Sequence, residues 1–215
     1  DNIPVIILSF YAPYQSGDIK LKEDESINHT WATCDELKNH DLIEGIADEI
    51  KMVDDLIKQV GVDAYRFFMA MFSANTHMDF DLKLAKERSQ KNPVFYVQYA
   101  YARIASILRL AQNANYQLSI INYQLLNIAY ELDLVKTLIK LPEIVEEIAG
   151  DYQVHRLTQY AREIADKFHI FYENCKVIDN ETPEVTHARL ALCQATKIVL
   201  KNTLNLMGIS TPEKM

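Results

Sequence analysis

The sequence lacks the residue patterns that most enzyme and metal sites require. It contains no glycine-rich phosphate loop, no Cys-x-x-Cys pair and no His-Glu-x-x-His motif. Its six histidines are scattered without the spacing of metal ligands. No nucleophile–histidine–acid constellation of a hydrolase is visible either. We therefore expect neither a catalytic residue nor a metal site within these 215 residues.

Cysteine and long apolar runs are also scarce. The three cysteines, Cys34, Cys175 and Cys193, are odd in number and far apart, which indicates reduced thiols and a cytoplasmic protein rather than a disulfide framework. No run of about 18 apolar residues exists, so no membrane span is predicted. Residues 3–10 are apolar but lack a basic leader, and no signal peptide is expected.

The net charge of −8 is unevenly distributed along the chain. Residues 1–52 hold 11 Asp/Glu against 4 Lys/Arg, a balance of −7, whereas residues 53–215 hold 19 against 18, a balance of −1. The acidity therefore belongs to the first quarter. The remainder is nearly neutral and can carry a basic face, so the overall acidity does not exclude RNA binding.

Residues 1–52 have the pattern of a small, incomplete α/β segment. Residues 4–11 are β-branched and aromatic, and residues 19–22 and 28–31 are further short strand candidates. Asp35 is predicted to be the N-cap of a helical turn over residues 36–38. These pieces weakly resemble the end of a Nudix hydrolase. The Nudix box is absent, and the adjacent acidic residues 23–25 are typical of a solvated loop.

Residues 53–91 are predicted to be a helical connector. Apolar spacing favours a helix over residues 53–60 that ends at Gly61. A second helix is predicted over residues 63–72 with Asp63 as its N-cap, and a third over residues 79–89.

Residues 92–215 have the pattern of an antiparallel helix bundle, which makes the chain mainly α. Asn92 and Pro93 suit the N-cap and first position of a long helix. Further helices are expected over residues 125–139, from residue 143, over residues 154–178 and over residues 183–207. Gly208 ends the last one, and residues 209–215 are expected to form a free tail.

Aromatic residues on the first long helix are candidates for RNA binding. Tyr96, Tyr99 and Arg103 fall on one side of that helix, at i, i+3 and i+7. Aromatic planes beside a guanidinium suit unstacked bases. The alternative is a half-buried tyrosine stripe, which is common in helix bundles.

Two later groups are further candidates. His169 and Tyr172 lie three residues apart and can share one helix surface, or can be ordinary helix-face residues. Arg189, Lys197 and Lys201 lie along the last helix and can contact phosphates, the alternative being a solvated basic edge.

An ordered set of segments resembles the C-terminal region of class I arginyl-tRNA synthetases. The matching stretches are residues 53–57, 60–68, 79–82, 92–104, 168–175, 188–192, 199–209 and 212–215. Asp63-Ala64-Tyr65-Arg66 is a variant of the Asp-Ala-Leu-Arg signature that names the family's anticodon-binding domain.

The resemblance implies binding to the anticodon stem and loop of tRNA(Arg). It adds Asn174, Lys214 and Met215 to the expected RNA contacts, with the terminal methionine helping to shape the loop. The full expected set is Tyr96, Tyr99, Arg103, His169, Tyr172, Asn174, Arg189, Lys197, Lys201, Lys214 and Met215.

The chain lacks the sequence motifs with which this family carries out aminoacylation. The adenylate-binding HIGH motif is missing. Lys51-Met52 matches the first two residues of the family's Lys-Met-Ser-Lys motif but runs directly into Val53, so either the family's intervening loop is missing from this chain or the match is a coincidence. We therefore expect this chain alone to be inactive. ATP and Mg²⁺ would serve the whole enzyme, whose catalytic domain is the expected partner besides tRNA(Arg); DNA and membranes are not expected partners. The alternative is a helical interaction module fused to a truncated Nudix-type nucleotide hydrolase.

Overall fold

The computed structural model describes residues 30–42, 44–73, 75–114, 116 and 122–215. The chain divides into two compact units after Ile50. The described residues are mainly helical and contain no strand. The predicted mainly α fold is therefore confirmed.

The described part of the first unit contains one short 3₁₀ turn, Leu37–Asn39. The turn is flanked by Glu36, not by the predicted cap Asp35, and the Glu36 carboxylate accepts hydrogen bonds from the backbone and hydroxyl of Thr33 at 2.8 and 2.7 Å. These bonds lower the pKa of Glu36. The strands predicted over residues 4–11 and 19–22 lie outside the described residues, and residues 30–31 are not in a strand.

Eight α-helices follow in the residues that the structure describes. They are α1 (Ile46–Val60), α2 (Val62–Ala70), α3 (Leu82–Lys86), α4 (Pro93–Asn113), α5 (Ala129–Leu138), α6 (Leu141–Asp151), α7 (His155–Asn174) and α8 (Pro183–Leu206), with a 3₁₀ turn at Tyr123–Leu125 before α5.

The predicted cap of α4 is correct, whereas that of α2 is wrong. Asn92 accepts hydrogen bonds from the backbone N–H groups of Val94 and Phe95, and Pro93 is the first helical residue. Gly61, with φ of 84°, is the N-cap of α2, and Asp63 lies inside the first turn. Its carboxylate is bonded elsewhere, to a residue 147 positions later.

The core of the second unit lies among α4, α5, α7 and α8. α5 packs against α7, and α4 packs against both α7 and α8. Val97, Ile104, Ile164, Phe168 and Leu200 are completely buried in it. Because α4 and α7 are neighbours, residues on their outer edges form one surface.

The end of α8 fixes the direction of the residues that follow. Gly208 has φ of 65°, its N–H donates to the Asn205 carbonyl at 2.9 Å, and the Ile209 N–H donates to the Leu204 carbonyl at 3.0 Å. This pair of bonds is a Schellman motif. Ile209 is 2% exposed and belongs to the core. The expectation of a free tail from residue 209 is therefore wrong, because the side chain of its first residue is buried.

Gly208→Ala is expected to destabilise the protein by about 1–2 kcal/mol, because alanine is strained in the left-handed region. A Cβ at this position would also meet the Arg66 guanidinium. Gly150→Ala is the matched control: Gly150 lies within helix α6, and a Cβ there meets nothing within 4 Å. It should stabilise by about 0.5–1 kcal/mol. Urea midpoints that move in the same direction would contradict this prediction.

Candidate nucleic-acid interface

Helix α4 presents a row of half-buried aromatic rings. Phe95 and Tyr99, four residues apart, have nearly parallel rings with centroids 6.5 Å apart and an interplanar angle of 10°. Tyr96 lies beside them, and its hydroxyl donates to Asp166 of α7 at 2.7 Å. Burial, together with this hydrogen bond, raises the pKa of Tyr96 above its ordinary value. The row is therefore attached to α7 through one polar contact.

Helix α7 completes the surface with His169 and Tyr172. The His169 ring is stacked on Tyr99 at 6.0 Å and 21°, and lies 5.0 Å from the Tyr96 ring. The Arg103 guanidinium carbon lies 4.8 Å from the centroid of the Tyr172 ring, a cation–π distance. We call Phe95, Tyr96, Tyr99, Arg103, His169 and Tyr172 the aromatic face.

The imidazole of His169 sits in a partly apolar environment. Among the described residues, its buried Nε2 atom has no hydrogen-bond partner. Burial lowers the pKa of His169. The negative charges of Glu173 and Asp166 act to raise this pKa, and the positive charge of Arg103 acts to lower it further. The ring is therefore held mainly in its neutral form near pH 7, in which it can stack without adding charge.

His169→Phe is expected to remove part of the acid sensitivity of folding. Because the pKa of His169 is lower in the folded chain, the unfolded chain binds more protons as the pH falls below about 6.5. The stabilising contribution of neutral His169 is complete above that pH and decreases as the pH falls through it. Urea midpoints at pH 7 and pH 5 measure the effect.

Equal loss of stability between pH 7 and pH 5 in the wild type and in His169→Phe would contradict the assignment.

The predicted basic residues have different surroundings. Arg189 is 11% exposed and donates from Nε to Glu131 at 2.7 Å and from Nη1 to the Lys176 carbonyl at 2.9 Å. Its guanidinium is thus part of a buried ion pair. Lys201 is exposed on α8. Asn174, the last residue of α7, is exposed and donates to the Ile170 carbonyl at 2.8 Å.

Lys197 and the end of the chain are connected by Glu213. The Lys197 ammonium lies 2.6 Å from the Glu213 carboxylate and 5.5 Å from the Tyr101 ring centroid. Arg109 donates to the Glu213 carbonyl at 3.2 Å. The hydrogen bond from Lys197 and the nearby positive charges lower the pKa of Glu213.

Lys214 and Met215 are exposed, and Met215 borders a cleft of about 780 Å³. The ends of α1 and α3 and the starts of α2 and α4 line the rest of this cleft, to which Phe95 and Gln98 contribute. Phe95 therefore lies both on the cleft and in the row of stacked rings, and connects the chain's last residue to the aromatic face.

The structure brings five of the expected residues, Tyr96, Tyr99, Arg103, His169 and Tyr172, into one face. Phe95 was missed by sequence reasoning, although its i, i+4 spacing from Tyr99 is a detectable signal. Arg109 was missed too, because its contact with Glu213 spans 104 positions and has no local signal.

Two features are absent from the described part of the chain. No helix there is long and apolar enough to cross a membrane. No cluster of three or more His, Cys, Asp or Glu residues there is arranged to hold a metal ion.

Comparison with known protein families assigns the second unit. Residues 97–215 match the family model of the DALR anticodon binding domain, and this match spans more than half of the chain. The chain belongs to the DALR anticodon-binding domain family. The Asp63-Ala64-Tyr65-Arg66 stretch lies on α2, and α3 separates it from the start of the matched residues.

This chain is similar to part of the arginine–tRNA ligases of several bacteria. It is 48% identical over 167 residues to that of Dehalococcoides mccartyi, covering 78% of this chain and 30% of the relative. It is 47% identical over 162 residues to that of Listeria monocytogenes, covering 75% and 29%. The chain thus spans about a third of the length of the curated relatives it matches.

Solved structures agree with the sequence matches. The arginyl-tRNA synthetase of Plasmodium falciparum is 28% identical with a TM-score of 0.60, over 78% of this chain and 31% of that one. The enzyme of Thermus thermophilus is 26% identical with a TM-score of 0.60, over 79% and 32%. The alternative of a Nudix fusion finds no support in these comparisons.

Proposed function

We propose that this chain binds the anticodon stem and loop of tRNA(Arg) as part of an arginine–tRNA ligase. The observation that carries the proposal is the aromatic face on α4 and α7, of which Tyr99, Arg103, His169 and Tyr172 lie within the residues matched to the anticodon-binding family. The relatives named above are arginine–tRNA ligases, which points to tRNA(Arg) as the ligand.

The chemistry of the aromatic face suits unpaired bases. Bases of an RNA loop are unstacked and can lie on aromatic side chains and on arginine guanidinium planes, each base contributing about 1–3 kcal/mol. Tyr99, His169 and Tyr172 offer such planes, and Arg103 adds a positive charge beside one of them. Tyr96 is more constrained, because its hydroxyl is bonded to Asp166.

Cations on α8 and in the segment after it would position the RNA backbone. Lys201 and Lys214 are exposed. We propose them as phosphate contacts, together with Lys197 when its pairing with Glu213 is exchanged for a phosphate. Arg189 is held by buried Glu131 and would support α8 rather than contact RNA directly.

In the whole ligase, the aminoacylation chemistry would belong to a separate catalytic domain that uses ATP and Mg²⁺. This chain would supply recognition of the tRNA and would not aminoacylate it alone. We propose a cytoplasmic location, in keeping with a role in translation.

The test is equilibrium binding of the 215-residue chain to tRNA(Arg) and to the same tRNA with a substituted anticodon. We expect tighter binding to the native anticodon and a linear decrease of log affinity with log salt concentration, because phosphate contacts release counterions. Equal binding to both RNAs, or no binding, would refute anticodon recognition.

A further inference from the structure

The segment that follows α8 is attached to the rest of the second unit at three points. Arg66 Nη1 donates to the Gly208 carbonyl at 2.6 Å. Two residues later, Ser210 is bonded to α2 and α4, and Glu213 is bonded to Arg109 and Lys197. A chain end with no regular structure is normally mobile unless it is tied down. Here the attachments recur every two or three residues.

The attachment at Ser210 uses every polar group of that residue. Its N–H donates to Asp63 Oδ1 at 2.9 Å, and its hydroxyl is bonded to Asp63 Oδ2. Gln98 Nε2 donates to the Ser210 carbonyl at 3.0 Å and to Asp63 Oδ2 at 2.8 Å. Gln98 is only 8% exposed, so its amide is fixed by packing as well as by these bonds.

The two charged residues of the Asp-Ala-Tyr-Arg signature both act on this segment. Asp63 and Arg66 lie three residues apart on α2 and therefore share one face of it. The Arg66 guanidinium donates to the carbonyl of Gly208, the residue before Ile209. The Asp63 carboxylate accepts the N–H of Ser210, the residue after it. Because Ile209 is buried, the side chain and both flanking peptide groups are fixed together.

We infer that Asp63, Arg66 and Gln98 are positioning residues that hold residues 208–213 as a fixed part of the RNA-binding surface. This inference rests on the proposed function. We call these three side chains the clamp. The clamp holds the start of the segment, and the end of the segment places Met215 beside the cleft that Phe95 also lines. A segment ordered in advance loses less conformational entropy when RNA binds, so the affinity is higher than for a mobile tail.

Replacement of Asp63 separates this role from a simple effect of charge. Asp63→Ala removes one negative charge, which by electrostatics alone would strengthen binding to a polyanion. The clamp instead requires weaker binding, because the tail becomes mobile. The matched control is Asp81→Ala, which removes another carboxylate that accepts a backbone N–H, at 2.9 Å, but is not bonded to the tail.

The first measurement needs no RNA. Amide hydrogen exchange at Ser210 should become about tenfold to a hundredfold faster in Asp63→Ala, as expected for losing hydrogen bonds to a charged group. It should be unchanged in Asp81→Ala. Unchanged protection of Ser210 in Asp63→Ala would overturn the clamp whether or not the chain binds tRNA.

The second measurement is affinity for tRNA(Arg) in the full chain and in a chain ending at Ile209. Asp63→Ala should weaken binding about tenfold in the full chain. It should not weaken binding in the shortened chain, where the tail is already absent. Equal weakening in both chains, or tighter binding in the full chain, would overturn the inference.

Ser210→Pro provides a second variant that leaves the helices intact, because Ser210 is exposed and lies outside them. It removes the N–H that Asp63 accepts, and should weaken tRNA binding in the same direction as Asp63→Ala. If the wild-type chain itself fails to bind tRNA, the proposed function fails, and hydrogen exchange at Ser210 still decides whether the clamp exists.

Discussion

Arg189→Ala is expected to lower the free energy of unfolding by about 3–5 kcal/mol, because it leaves a buried charge without its partner. The Glu131 side chain is completely buried and Arg189 is 11% exposed. Without the guanidinium, the carboxylate would keep only the Ile128 N–H, which it accepts at 3.0 Å. The Lys176 carbonyl would lose a donor as well. Urea denaturation at pH 7 followed by circular dichroism measures the change.

Arg156 is the matched control for this prediction. It is ion-paired with Glu147 and Asp151 at 3.0 and 2.7 Å, but all three side chains are at least a third exposed. Arg156→Ala should therefore cost about 0–1 kcal/mol. Similar losses for the two arginines would show that burial of Glu131 does not determine the effect.

Removing the buried charge of Glu131 as well should recover part of the stability that is lost in Arg189→Ala. A chain carrying both Glu131→Gln and Arg189→Met has no buried charge to compensate, and should be more stable than Arg189→Ala alone. If the double variant is less stable than Arg189→Ala, the large loss has another origin, such as packing of the arginine side chain.

Tyr99→Ala and Tyr172→Ala are each expected to weaken tRNA(Arg) binding by about 1–3 kcal/mol, or roughly 5-fold to 150-fold. The Tyr99 ring is stacked with the rings of Phe95 and His169. The Arg103 guanidinium lies over the ring of Tyr172. Loss of either ring removes a plane on which an unpaired base can lie. Equilibrium binding at a fixed salt concentration measures the change.

Tyr152→Asn is the control for the aromatic substitutions. Tyr152 is 82% exposed and lies before α7, and His169 is 14 residues beyond the start of that helix, about 20 Å along its axis. Asparagine tolerates the left-handed backbone at this position. Binding should be unchanged. Comparable weakening in Tyr152→Asn, or none in Tyr99→Ala and Tyr172→Ala, would place the RNA elsewhere.

Local signals predicted the helices whose ends are determined by neighbouring residues. Asn92 and Pro93 mark the start of α4 because a cap and a first-turn proline act within three residues. Gly208 marks the end of α8 for a similar reason. Tyr96, Tyr99 and Arg103 were likewise grouped by helical spacing alone.

Contacts between distant residues could not be predicted in the same way. Asp63 has the appearance of an N-cap, but its carboxylate is bonded to a residue 147 positions away. Arg189 has the appearance of an exposed phosphate ligand, but its partner Glu131 lies 58 positions earlier on another helix. In both cases the pattern specified a charged side chain, and only the packing of helices determined what it contacts.

The position of Met215 has a practical consequence for experiments on this protein. Because Met215 borders the cleft that Phe95 and Gln98 also line, residues fused after it would begin at the mouth of that cleft. A purification tag or fluorescent label placed there would compete with any ligand for the same space. We therefore expect residues or labels fused after Met215 to weaken RNA binding.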